Sequence, residues 1–216
     1  MDDELALRKK IIVTAIEMNA QGLNRGKSGN VSARFDAGFL VTPTGMAYES
    51  TQPVDIVAMT QDGTALGPRL PSSEWRFHRD IYAARREVGA IVHAHSPFAT
   101  SIACLGRDIP PFHYMIAVAG GKDIRCAAYA TFGTQQLSDH ALCALESRKA
   151  CLLANHGMIA VGASLTAALA LAVEVEALAE QYWRALQIGP PNLLSDAEME
   201  TVLEKFRTYG QPDAKR

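Results

Sequence analysis

The chain lacks a dominant charge. Its 216 residues carry 21 Lys and Arg against 23 Asp and Glu, a net charge of −2, with the two signs interspersed. That balance argues against nucleic acid or an anionic membrane as partner, since both select a strongly basic surface, and leaves a small anionic substrate open. The sequence has no uncharged apolar run long enough to cross a bilayer, and it opens as MDDELALRKK rather than with a basic-then-apolar leader, so a soluble cytoplasmic protein is expected. Cysteine is sparse: Cys104, Cys126, Cys143 and Cys151 show no CxxC spacing and lie in apolar stretches, which reads as reduced core thiols. Internal repeats and low-complexity segments are absent too. With 48% hydrophobic residues, a single domain over residues 1–216 has enough apolar material for one sizeable core.

What is present alternates between the two periodicities. Leu7, Ile11, Ala15 and Met18 recur at helical spacing and Gly22 stops the run. VSARF, the turn Asp36-Ala37-Gly38 and FLVT read as a hairpin, followed by a short strand from Ile56 to Met59. Ser72 and Ser73 are expected to cap a helix from Glu74 to Arg86 with Phe77, Ile81 and Ala84 on one face. A strand over Ala90 to His95 follows, then a helix from Pro97, a strand from Ile124 to Ala128, and a helix around Ser138 to Glu146. Short strands flank His156. Ser164 caps the longest helix, with Leu171, Val175, Leu178 and Tyr182 as its stripe, and Ser195 to Glu198 reads as a capping box for a last helix. Hairpins mixed with helices predict an α/β fold, a three-layer sandwich with helices covering a largely antiparallel central sheet.

The residues that carry chemistry are metal ligands. In a strand the two-residue period puts His93 and His95 of AIVHAHS on one face, where both imidazoles reach a single ion. His156 in LLANHGMIAVG supplies a third nitrogen, and Glu74 in PSSEWRFH an oxygen. Three neutral nitrogens and one carboxylate suit zinc better than magnesium or calcium, so a mononuclear catalytic Zn2+ site is expected. Three polar segments read as anion cradles: Lys27-Ser28-Gly29-Asn30, Thr42-Pro43-Thr44-Gly45 and Ser72-Ser73. Taken singly, each reads more readily as an ordinary turn or cap than as a cradle. His78, one helical turn beyond Glu74, reads as a packing or hydrogen-bonding histidine rather than a ligand.

The ordered series GLNRGKSGNVSAR, VTPTGMAYE, LPSSEWRFH, HAHS, IPPFHYMIAVAGG, CAAYATFGT, NHG and LSDAEMETVLEKFRTYG covers nearly the whole chain. It resembles the zinc-dependent L-fuculose-1-phosphate aldolases of the class II aldolase/adducin family. The resemblance implies reversible cleavage of a ketose 1-phosphate to dihydroxyacetone phosphate and a short aldehyde, L-lactaldehyde for L-fuculose 1-phosphate, through an enediolate. It implies one zinc ion per subunit held by His93, His95, His156 and a displaceable Glu74 that also serves as acid and base. It implies a phosphate site at Gly29, Asn30, Thr44, Gly45, Ser72 and Ser73, and an aldehyde pocket at Phe132 and Phe206. Tyr114 matches a tyrosine that enters a neighbouring subunit's site, and Tyr209 one on a mobile tail over 207–216. The family assembly is a homotetramer with sites between subunits.

Relatives of the same kind cleave 5-deoxyribulose 1-phosphate or 5-methylthioribulose 1-phosphate, differing only at the aldehyde end. A pentulose-phosphate 4-epimerase of this family typically has aspartate where this chain has Glu74. A methylthioribulose-phosphate dehydratase keeps the glutamate and histidines but not the surrounding segments. A non-enzymatic adducin-like binding module would lack the ligands. An amidohydrolase barrel also uses HxH but needs about 250 residues or more, and a cupin places a carboxylate where SPFATSIA stands here.

Overall fold

A computed structural model of the chain describes residues 2–208. An eight-stranded sheet runs through the middle. Its strands are β1 (Asn30–Phe35), β2 (Gly38–Val41), β3 (Val57–Met59), β4 (Ala65–Leu66), β5 (Ala90–Ala94), β6 (Cys126–Ala127), β7 (Ala150–Leu153) and β8 (Gly157–Gly162). Their order is β4-β3-β2-β1-β5-β8-β7-β6, and every neighbouring pair is antiparallel except β6 with β7. The helices are α1 (Asp2–Ala20), α2 (Trp75–Ala84), α3 (Pro97–Ala103), α4 (Gln135–Ala144), α5 (Leu165–Ile188) and α6 (Asp196–Thr208), with a short 3₁₀ helix at Tyr114–Ala119.

Alternation along the strands divides the core in two. Val92, Leu152, Met158 and Ala160 face one side, where Ile11, Ala15 and Met18 of α1 and Ala168, Ala172 and Val175 of α5 pack with α3. Ile91, Cys151, Leu153, Ile159 and Val161 face the other side, against Phe77 and Ile81 of α2 and Leu137 and Ala141 of α4. This is the expected three-layer α/β sandwich, produced by a sheet whose two faces are both apolar and both covered. The turn residue Asp36, at φ 47°, closes the β1–β2 hairpin, and Ser164 caps α5 by accepting from Ala167 N at 3.2 Å.

Three expectations are corrected. Helix α2 starts after Glu74, and neither serine caps it by side chain; the Ser72 hydroxyl instead accepts the Glu74 N–H at 3.3 Å. Its buried face is Phe77, His78, Ile81 and Tyr82, while Ala84 is exposed at its end; the helix stops two residues early, where Arg34 takes over the carbonyls. That guanidinium donates to Tyr82 O, Arg85 O and Val88 O at 2.8–2.9 Å. Of the cysteines only Cys151 is buried and Cys126 is half-buried; Cys104 and Cys143 are exposed, since both sit on the outer side of short helical segments rather than in strands. The segment expected to be a mobile tail begins inside α6 at Arg207 and Thr208, and Tyr209 with the rest of it lies outside the described residues.

Helix α3, which follows the HxH segment, is anchored by a residue from another helix. Glu176 of α5 accepts Phe98 N at 2.8 Å and Ala99 N at 2.9 Å, so one carboxylate satisfies two free N–H groups at the positive end of α3. Glu176→Ala is expected to lower unfolding free energy by about 1–2 kcal/mol in urea titrations; an unchanged midpoint would show that solvent replaces the carboxylate at no cost.

Candidate active site

Register brings the site together. Asn30 at the head of β1 lies opposite His93 of β5, and His93 lies opposite Ile159 of β8, so the strand carrying HxH is flanked by the Lys27–Asn30 loop on one side and the β7–β8 hairpin on the other. That hairpin turns at Asn155, held at φ 54°, which presents His156 at the sheet's end. Gly157 follows because a Cβ there would sit 2.4 Å from Ala94 O and 3.0 Å from the His95 ring. The third approach comes from the segment before α2, which bridges back to the end of β2: Ser72 N donates to Thr42 O at 3.0 Å and Thr44 N to Leu70 O at 3.1 Å. Thr42 in turn exchanges hydrogen bonds with Val31, so all three polar segments read as anion cradles are stitched to one another.

Donor atoms of Glu74, His93, His95 and His156 all lie within 4.8 Å of one another. Glu74 Oε2 is 3.0 Å from His93 Nε2, Glu74 Oε1 is 3.1 Å from His156 Nε2, and the Nε2 atoms of His93 and His95 are 3.1 Å apart. His93 donates Nδ1–H to Met158 O at 2.9 Å, which leaves its Nε2 lone pair aimed at the cluster. Buried Glu74 Oε1 accepts no hydrogen bond despite its nearness to His156. Lone pairs converging on one point at such distances are what a single divalent metal ion satisfies, and the residues present therefore fit one. Burial disfavours charge on Glu74, but His93 and His156 outweigh it and hold the carboxyl well below its usual range. Burial and the neighbouring imidazoles depress His95 to about 4, whereas in His93 the Glu74 charge outweighs burial and raises the pKa.

Beside this cluster opens a cavity of about 310 Å³. Gly29, Asn30, Thr44, Gly45, Ser72 and Ser73 line it together with Glu74, His95, His156 and Phe132. Gly29 holds φ 76°, and a Cβ there would strike Asn24 Nδ2 at 2.5 Å and His93 O at 2.6 Å. The structure thus brings nearly all the expected residues to one place. Tyr114 and Phe206 are elsewhere in their own chain: Tyr114 is 52% exposed, stacks on His113 and on Phe206 at 6.4 Å, and does not line the cavity.

Several residues were missed by the sequence reading. Asn24 accepts His95 N at 3.0 Å and donates to Ser28 O, clamping the cradle loop to the HxH segment. Tyr129 and Asn155 also line the cavity. His78, by contrast, is the hydrogen-bonding histidine expected: it is fully buried and hydrogen-bonded at both ring nitrogens, to Asn30 Oδ1 and Ser32 Oγ, and burial lowers its pKa to about 3. The only sequence signals for Asn24 and Asn155 were asparagines two residues from a glycine, a pattern that ordinary turns share.

The comparisons agree with this geometry. Residues 9–183 match the family described as class II aldolase and adducin N-terminal domain. The chain is 60% identical to a 5-methylthioribulose-1-phosphate/5-deoxyribulose-1-phosphate aldolase of Rhodospirillum rubrum, over 95% of this chain and 93% of the relative. It is 50% identical to an L-fuculose phosphate aldolase of Escherichia coli (strain K12), over 94% and 95%. A solved L-fuculose 1-phosphate aldolase superposes with a TM-score of 0.90 at 42% identity, covering 94% of this chain and 96% of that one. By family match, identity over nearly full length and shared fold, the chain belongs to the class II aldolase and adducin family and is one of its aldolases, a carbon–carbon lyase.

Proposed function

We propose that the chain is a zinc-dependent aldolase that reversibly cleaves 5-methylthioribulose 1-phosphate or 5-deoxyribulose 1-phosphate to dihydroxyacetone phosphate and a short aldehyde. The observation that carries the reading is the cavity itself, in which a three-histidine, one-carboxylate cluster opens directly onto backbone and hydroxyl donors of the kind that hold a phosphate. Three imidazoles with one carboxylate favour zinc. The choice of ketose is supported by the 60% identity to the Rhodospirillum rubrum aldolase and by Tyr129 and Phe132 at the rim, aromatic rings suited to a thioether or methyl group. L-Fuculose 1-phosphate is the second reading, favoured by the Escherichia coli relative at 50% identity.

In this proposal Gly29, Asn30, Thr44, Gly45, Ser72 and Ser73 hold the phosphate, which fixes the distance from C1 to the chemistry at C3 and C4. When bound, the metal supplies Lewis-acid stabilisation of the charge that develops on the ketose oxygens. Glu74, ionised and displaceable, carries the proton to or from C3. Tyr114 exchanges the proton at the C4 oxygen from a neighbouring copy in a homotetramer, the arrangement its exposed position and distance from its own cavity suit. Phe132, together with Phe206 of a neighbouring copy, shapes the aldehyde end, and Tyr209 is a further catalytic residue.

The deciding assay couples dihydroxyacetone phosphate release to a panel of the three ketose 1-phosphates, with chelator and zinc restoration. Zinc-dependent release ranked with the methylthio and deoxy substrates first is expected; fuculose first would reverse the substrate choice, and no release by zinc-loaded protein would point to epimerase or dehydratase chemistry. His95→Ala is expected to lose the metal, whereas Glu74→Gln keeps most of it and loses turnover by about 10²-fold or more, measured as zinc content and kcat. A metal-depleted Glu74→Gln protein with full activity would refute both assignments. Tyr114→Phe is expected to keep its zinc and thermal stability and to lose about 10²-fold in kcat; unchanged turnover would remove Tyr114 from the reaction.

A further inference from the structure

Behind Glu74 runs a buried chain of hydrogen bonds. Tyr82 Oη lies 2.8 Å from Ser32 Oγ, Ser32 Oγ lies 2.7 Å from His78 Nδ1, and His78 Nε2 lies 2.5 Å from Asn30 Oδ1. Asn30 Nδ2 then donates to Ser72 Oγ at 2.9 Å and to Glu74 Oε2 at 3.1 Å. Every member is at most 6% exposed.

The donors and acceptors fit in one direction only. An ionised carboxylate accepts hydrogen bonds, so the Asn30 amide must turn its NH₂ to Glu74 and its carbonyl to His78. The carbonyl needs a donor, so His78 is the Nε2–H tautomer, and its bare Nδ1 accepts from the Ser32 hydroxyl. Ser32, its one proton given, accepts from Tyr82. The reversed chain would set the amide oxygen against the carboxylate with no proton between them.

We propose that His78 is a positioning residue: its Nε2–H fixes which side of the Asn30 amide faces the cavity, and so delivers two N–H donors together, one to the phosphate-holding Ser72 and one to the acid/base Glu74. Through that shared nitrogen the orientation of the phosphate site and the resting place of Glu74 are set by a residue that touches neither substrate nor metal. The expected effect on catalysis rests on the proposed reaction and that on phosphate binding on the proposed phosphate site; the tautomer rests on neither.

The test compares His78→Gln, His78→Asn and His78→Leu. Glutamine places an N–H near the position of Nε2, and asparagine places its amide near Nδ1, so the two are similar in polarity but differ in which neighbour they reach. Folding is checked by Tm, zinc content is measured, inorganic phosphate binding is measured by calorimetry on zinc-loaded protein, and kcat and KM are measured with the ketose panel. Asn and Leu are expected to bind phosphate roughly tenfold more weakly and to lose roughly tenfold in kcat, the loss of one hydrogen bond to a charged or charge-binding group, with zinc retained. Gln is expected to recover most of both. Gln and Asn equally impaired, or Leu unchanged, would overturn the proposal. Long-range 1H–15N spectra of histidine-labelled wild type add a readout that needs no variant: the Nε2–H tautomer of His78 is expected, and an Nδ1–H tautomer would overturn the assignment. If wild type cleaves no ketose in the panel, the substrate reading fails while phosphate affinity and tautomer still decide the role of His78.

Discussion

Asn30 and His93 face each other across the β1–β5 ladder, and the rest of the site is placed by that pairing. Because side chains alternate, a slip of one residue would send both away from α2 and into the opposite core, where α1 and α5 pack. The register is held by the apolar residues behind it: Val31 and Ala33 of β1 and Ala90, Val92 and Ala94 of β5 are buried on the α1/α5 side. The chemistry therefore depends on ordinary packing on the far face of the sheet, and a polar or bulky change at Val92 would be felt at the imidazole beside it. Loops alone do not set the geometry; they hang from a ladder that apolar burial has already fixed.

Against that ladder the protein gathers a buried carboxylate, one buried imidazole and two half-buried ones in one small volume. Such a group of polar atoms is costly to remove from water unless each finds a partner. Here the lone pairs converge, while His93 Nδ1 is held by Met158 O and Glu74 Oε2 by the Asn30 amide, with Asn24 fixing the His95 backbone. The partner groups also explain why the polar residues are so deeply buried: Asn30, Ser32 and His78 fill core positions where an apolar side chain would pack but could not orient Glu74. The chain connected from Tyr82 to the Asn30 amide specifies one arrangement, since each hydrogen along it is already assigned.

Much of this was legible from the chain alone, for a physical reason. HxH on a strand, a histidine at a hairpin turn and a glutamate before a helix are local patterns whose geometry follows from the two-residue and 3.6-residue periods. The layered fold followed from the alternation of strand and helix signals, and Ser164 and Asp36 behaved as short-range chemistry dictates. What escaped was set at long range. Nothing near Ser72 in sequence reveals that its hydroxyl is taken by Asn30, 42 residues away, so its reading as a helix cap failed. Arg34 shortens α2 from a strand 48 and 51 residues earlier than the carbonyls it holds at Tyr82 and Arg85. Cys104 and Cys143 looked like core thiols because their neighbours are apolar, but helical rotation turned them outward. Asn24 resembles any turn asparagine until its amide is seen against His95.

The central sheet ends in very short strands on both sides, Ala65–Leu66 at one border and Cys126–Ala127 at the other. A border of two residues offers too few open N–H and C=O groups to recruit a foreign strand. Copies of this protein are thereby steered away from growing a continuous ladder from molecule to molecule. Whatever assembly it forms must be made by side chains on helices and loops, whose contacts can close into a finite ring, rather than by backbone pairing, which has no natural end.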